Sequence, residues 1–192
     1  MPSAGNPADL LVDLAAALGA LRVRWYVFGA QAVLIWGRPR LTTDVDATVA
    51  LAGHSVTELL TALAPRGFVA RPEATEAFIT ATRVLPLHHS RSELPLDLVL
   101  AGAGLEELFL ERVVLVEVEG TGVPFISPED LIATKVLAGR SKDLEDVRGI
   151  LVERGPALNT DQIAETLRTL EQGLERSDLV RVFESELSRR RK

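Results

Sequence analysis

At 192 residues, with 47% hydrophobic and 25% charged side chains, the chain has the composition of a folded protein. Its length suits one domain of ordinary size, or one domain plus a small helical appendage. The lack of cysteine excludes disulfides, thiolate catalysis and zinc–thiolate sites, and no apolar run approaches the roughly 18 residues of a membrane span. The N-terminal stretch MPSAGNPADLLVDL carries Asp9 and Asp13 and no basic residue, which is unlike a signal peptide, so the cytoplasm is the expected location. A net charge of −6, from 21 basic and 27 acidic residues, argues against nonspecific coating of nucleic acid but leaves RNA open as a substrate.

In chain order, Asn6-Pro7 reads as an N-cap and a proline at the first helical position. Leu10, Leu11, Leu14, Leu18 and Leu21 then mark a helix over 7–22. A strand over 24–28 breaks at Gly29, where a helix over 30–36 can begin tightly and offer backbone N–H groups to a phosphate. A second strand is expected over 44–50. Ser55-Val56-Thr57-Glu58 is a capping box opening a helix over 56–64. Apolar runs at 67–70, 76–79 and 82–87 read as strands, as do 96–100 and 112–118, with a short helix at 105–110 and turns at Gly102-Ala103-Gly104 and Gly120-Thr121-Gly122. From Ser127-Pro128-Glu129-Asp130 onward the pattern is helical: 128–138, 142–153, 160–172 and 176–188. The expectation is a mixed α/β domain over 1–126 and a helical region over 127–192.

Side chains alternate faces along a strand, so Asp44 and Asp46 project from one side while Val45, Ala47 and Val49 enter the core. Two carboxylates so placed repel unless a cation sits between them, and a hard divalent ion such as Mg2+ fits that role. Asp97 stands alone among Leu96, Leu98, Val99 and Leu100. It is either exposed on a polar sheet face or, if buried, paired or metal-bound. If its strand neighbours the second strand, the three aspartates converge on one or two ions.

These residues resemble the nucleotidyltransferase superfamily of the DNA polymerase β type. They are most similar to its AbiEii-like branch, the toxins of type IV toxin–antitoxin systems, whose signature is G-G-x-A-x4-G-x2-R-x-T-x-D-x-D. Residues 29–46 read G-A-Q-A-V-L-I-W-G-R-P-R-L-T-T-D-V-D with every spacing kept. The resemblance covers 24–150 and extends to Asp97 in "PLDLVL" and to Lys135 preceding Arg140-Ser141-Lys142-Asp143-Leu144-Glu145-Asp146. It implies that Asp44, Asp46 and Asp97 bind Mg2+ (or Mn2+) and that Gly29, Ala30 and Thr42 belong to the triphosphate site. It further implies that Lys135 neutralises phosphate, and that Arg40 contacts phosphate or braces the acid-bearing strand. Lys142, Asp143 and Asp146 would line the far wall, Asp146 being a candidate to activate the acceptor. Ala30 departs from the family's glycine or serine; a lost hydroxyl donor to a charged group is worth about 1.5–3 kcal/mol.

The implied reaction is transfer of NMP from an NTP to a hydroxyl, with release of pyrophosphate. For characterised relatives the acceptor is the 3′ end of tRNA and the outcome is growth arrest. Alternatives are a degenerate member that binds nucleotide or RNA without turnover, an antitoxin that nucleotidylates a partner toxin, and a transferase acting on small molecules of the aminoglycoside type. Residue by residue, plainer readings also stand. Lys135 can snorkel from an apolar helix, residues 140–148 can form a charged helix face, and Arg189-Arg190-Arg191-Lys192 can be a solvated helix end or a phosphate-contacting tail. His54, His88 and His89 lack metal-ligand spacing and read as loop or strand-end residues; Trp25 and Trp36 read as core.

Overall fold

Seven strands form one mixed sheet in the structure, a computed structural model in which residues 5–189 are described. They are β1 (Trp25–Phe28), β2 (Val45–Val49), β3 (Phe68–Ala70), β4 (Val84–His89), β5 (Leu94–Leu100), β6 (Val114–Val118) and β7 (Thr121–Phe125), in the order β3-β4-β5-β2-β1-β7-β6. The β2–β5 and β1–β7 pairs are parallel, and the other four are antiparallel. The sheet belongs to the first of two compact units, which takes in the chain up to Gln31 together with Thr42–Ile126.

Period-two alternation decides which face of this sheet is core. Val27, Val45, Ala47, Val49, Leu85, Leu87, Leu96 and Leu98 are all fully buried on one side. Each buried aliphatic side chain of this kind contributes about 1.5–3 kcal/mol relative to exposure. Helices α1 (Pro7–Leu21) and α3 (Val56–Leu63) pack on each other within this unit, using Leu10, Leu14, Leu18, Leu59 and Leu63. The opposite face, which carries Asp46, Asp97, Val84, His88 and Val99, is only partly covered. Both expected caps form: Asn6 Oδ1 accepts from Ala8 N–H, and Ser55 with Glu58 closes a capping box.

Two expectations are overturned. Residues 76–79, read as strand, lie in a helix, α4 (Glu76–Thr82). Thr75 caps it by accepting from Phe78 N–H, and the Ile79 and Arg83 amides reach back to the carbonyls of Thr75 and Ile79. The apolar run suggested strand, but the cap and the i→i−4 bonds prevail. Of residues 120–122, read as a turn, Gly120 lies in one, but Thr121 and Gly122 begin β7. The hairpin turns at Glu119 and Gly120 alone, both at positive φ (47° and 79°), so that Val118 pairs with Thr121. A two-residue turn of this hand needs positive φ at both positions. A short helix, α5 (Leu105–Glu111), completes the first unit.

Helix α2 (Gly29–Trp36) starts in the first unit and ends in the second, which comprises Ala32–Leu41 and the chain from Ser127 onward. Within the second unit, α6 (Pro128–Ala138) packs on α7 (Ser141–Arg154), α8 (Thr160–Leu174) and α9 (Leu179–Arg189). Arg154 lies 4.8 Å over the Trp36 ring and donates to the Trp36 and Ile35 carbonyls, which ties the end of α2 to α7. Gly37 allows this approach, since a Cβ there would lie 2.9 Å from Ile150 Cγ1. Arg189 pairs with Glu186 at the end of α9; Arg190–Lys192 lie outside the described residues. No described helix is long and apolar enough to cross a membrane.

Candidate active site

Strand register brings two of the three expected metal carboxylates side by side. In the parallel β2–β5 pair Asp46 is opposite Asp97, and Phe28 and Pro86 flank them on the neighbouring strands. Adjacent strands lie about 4.8 Å apart, so both carboxylates leave the partly covered face within reach of one ion. Asp44 immediately precedes β2 and is exposed. Its carboxylate accepts from Thr42 Oγ1 at 2.6 Å, and its carbonyl accepts from the buried Gln31 amide at 3.3 Å. Gln31, which the sequence reading passed over, therefore anchors the start of the acid-bearing strand.

Gly29 is required at the β1–α2 junction for two reasons. Its φ is +63°, and a Cβ would lie 2.0 Å from Asp46 Oδ2. The carboxylate thus sits directly against the chain where the helix begins. Ala30 is 6% exposed, with its methyl packed away from solvent.

Asp97 is held by a residue that sequence reasoning missed. Arg71 follows β3, and its guanidinium Nη2 donates to Asp97 Oδ1. An arginine just beyond a short strand gives no sequence signal of its own. Its reach to Asp97 depends on the β3-β4-β5 order.

The donor set, all carboxylate oxygen, fits a hard divalent cation, and the Asp46–Asp97 register supports shared ligation. Among the described residues, however, no three metal-binding side chains are already gathered as ligands. Asp97 is turned to Arg71 and Asp44 to Thr42.

The second unit carries the remaining candidates as an ion network. The Lys135 ammonium is buried and lies 3.0 Å from Asp143 Oδ1 and 2.9 Å from Asp146 Oδ2. It does not snorkel to water. Arg40 donates to both Asp146 oxygens, at 3.0 and 3.3 Å, and Arg140 to Asp143. Burial alone would raise the Asp143 carboxyl, but the hydrogen bonds from Arg140 and Lys135 hold it below the usual carboxylate range. Lys142 is exposed.

The histidines supply no catalytic set. His89 is fully buried against Phe68, with its ring nitrogens 2.8 Å from Ser92 Oγ and 3.2 Å from Asp13 Oδ2. Ser92 is 2% exposed, so this serine–histidine–aspartate line is sealed from any substrate.

Comparison with known proteins follows the same lines. Residues 13–166 match the family described as nucleotidyltransferase of unknown function (DUF6036). No curated protein matches the chain. Among solved structures, the antibiotic-resistance factor ANT(2'')-Ia is similar at 14% identity and a TM-score of 0.59, covering 88% of this chain and 93% of that one. The lincosamide antibiotic adenylyltransferase LnuA is similar at 13% and 0.52, covering 77% and 98%. An antigenic nucleotidyltransferase-like protein from Paracoccidioides brasiliensis is similar at 19% and 0.51, covering 92% of both chains.

Proposed function

The chain belongs to the nucleotidyltransferase family designated DUF6036, and from that premise we propose that it transfers NMP from an NTP to an acceptor hydroxyl. Asp44, Asp46 and Asp97 would hold Mg2+ or Mn2+. The observation that carries this reading is the pairing of Asp46 with Asp97 in adjacent parallel strands, with Asp46 against Gly29. The ion, when bound, screens phosphate charge and lowers the pKa of the acceptor hydroxyl.

The other tasks fall to the chain's own groups. Gly29, Ala30 and the backbone amides at the start of α2 receive the β- and γ-phosphates, while Thr42 holds Asp44 in place. The acceptor oxygen bonds to the α-phosphorus as the bond from that phosphorus to the bridging oxygen breaks. Pyrophosphate leaves with the electron pair, and the acceptor's proton passes to Asp97. We assign the proton to Asp97 rather than Asp146 because both Asp146 oxygens already accept from cations. Arg40 therefore braces Asp146. Lys135 is already engaged by both Asp143 and Asp146, whereas Lys142 is exposed.

For the acceptor we favour an RNA 3′ hydroxyl, tRNA foremost, with the protein acting as the toxin of a type IV-like pair. The support is the unbroken AbiEii-like spacing from Gly29 to Asp46. A second reading, a small-molecule hydroxyl, draws on the end-to-end likeness to ANT(2'')-Ia, solved in complex with adenylyl-2"-tobramycin. Incubation of the protein with Mg2+, each α-labelled NTP, and either total RNA or an aminoglycoside panel separates them. Label in a tRNA-sized band supports the first reading, and label on the small molecule replaces it with the second. Label on neither, with NTP still bound, contradicts both and leaves a nucleotide-binding protein.

A further inference from the structure

One row of residues crosses the partly covered sheet face. The Arg71 amide donates to the Pro86 carbonyl at 3.0 Å, Pro86 pairs with Asp97, and Asp97 pairs with Asp46. Pro86 contributes only a ring between them, so the arginine side chain passes over it to the carboxylate. Two carboxylates in neighbouring register repel, and a positive group between or beside them relieves that repulsion. The chain supplies such a group itself.

Arg71 is not fully satisfied where it lies. Its Nε is buried with no hydrogen-bond partner among the described residues. Glu73 Oε1 is 3.3 Å from that nitrogen, within ion-pair distance but out of line for a hydrogen bond. The side chain of Arg71 is 27% exposed, Asp97 42% and Glu73 48%. Arg71 thus stands between two carboxylates on a solvent-accessible surface. Because both ion pairs exist at once, the guanidinium can release Asp97 while keeping Glu73.

We propose that Arg71 is a positioning residue that acts as an internal counter-cation: it occupies Asp97 until a divalent ion takes that carboxylate, and then withdraws to Glu73. This rests on reading Asp46 and Asp97 as metal carboxylates. In the absence of nucleotide, Arg71 competes with the metal and keeps the Asp46–Asp97 pair neutralised. A triphosphate adds anionic ligands for the ion and a further partner for the freed guanidinium, so metal loading is coupled to nucleotide.

The test is Mn2+ affinity of the full chain without nucleotide, measured by calorimetry or by the paramagnetic resonance of free Mn2+, with thermal melting to confirm folding. Removing a cation this close to a carboxylate is expected to tighten binding about tenfold in Arg71→Met. Arg71→Lys keeps the charge and should remain near wild type. Glu73→Gln removes the alternative partner and should weaken Mn2+ binding, and in the Arg71→Met background the same change should have a smaller effect. Asp97→Asn should weaken binding as well. Unchanged or weaker affinity in a folded Arg71→Met, with Asp97→Asn still weakened, overturns the counter-cation and leaves the metal site standing. Equal affinity in all variants, Asp97→Asn included, overturns the metal reading and the proposal with it.

Discussion

At the scale of single residues, Gly29 and Lys135 are the most constrained positions. Gly29→Ala forces a Cβ to within 2.0 Å of Asp46 Oδ2 at a φ of +63°. The left-handed backbone costs an alanine about 1–2 kcal/mol, so the variant should fold while its Asp46 carboxylate is pushed aside. Pyrophosphate release should fall to background with only a modest loss in the urea midpoint. Lys135→Met leaves Asp143 and Asp146 facing each other in a buried network that retains Arg40 and Arg140. Breaking a buried pair in this way costs about 3–5 kcal/mol, readable by urea unfolding. The network also sets an acid limit. Because the folded Asp143 carboxyl titrates below its unfolded value, its stabilisation is complete above the unfolded value, about pH 3.9. It is lost as pH falls through the folded one. Unfolding midpoints measured from pH 6 to pH 2.5 should show that loss in wild type and a flatter acid limb in Asp143→Asn.

At the scale of elements, what was legible in the sequence was what local chemistry encodes. Asn6-Pro7, Ser55 with Glu58, and Ser127-Pro128 each announced a helix start, and all three cap as expected. Alternation along Val45-Asp46-Ala47 put Asp46 on one face and Val45, Ala47 and Val49 in the core, while Asp44 lies just before the strand. The misreadings share one physical cause, a local signal weaker than its context. Residues 76–82 carry Phe78, Ile79 and two threonines yet bury no side chain, so apolarity there marked neither core nor strand. Glu119 takes a left-handed conformation unusual for glutamate, which hid a two-residue turn and with it β7. Arg71 and Gln31 were invisible because their parts depend on strand order and on a loop crossing, neither of which a linear pattern contains. One prediction belongs to this scale. Ser127 caps α6 by accepting from Asp130 N–H and donates to the Asp130 carboxylate. Ser127→Ala should cost about 1 kcal/mol in thermal or urea unfolding while leaving NTP affinity unchanged.

At the scale of the whole molecule, one face of the sheet is core and the other is left partly covered. The core face is sealed by leucine and valine from five strands. The other face carries Asp46 and Asp97 in the middle of the sheet, where β2 and β5 run parallel. Net acidity of −6 makes a broad electrostatic hold on RNA weak. An RNA acceptor would then be recognised through a few local contacts, with transfer only moderately dependent on salt. Chelation should separate chemistry from fold, since EDTA is expected to stop transfer while the leucine and valine core keeps the protein folded.

The most direct measurement of the central claim compares wild type with Asp46→Asn for label transfer from α-labelled NTP, with Mg2+ and total RNA present and folding checked by thermal melting. Label should appear on an acceptor in wild type and not rise above background in a folded Asp46→Asn. Equal transfer by the two proteins would mean that the paired carboxylates of β2 and β5 are not the reaction centre.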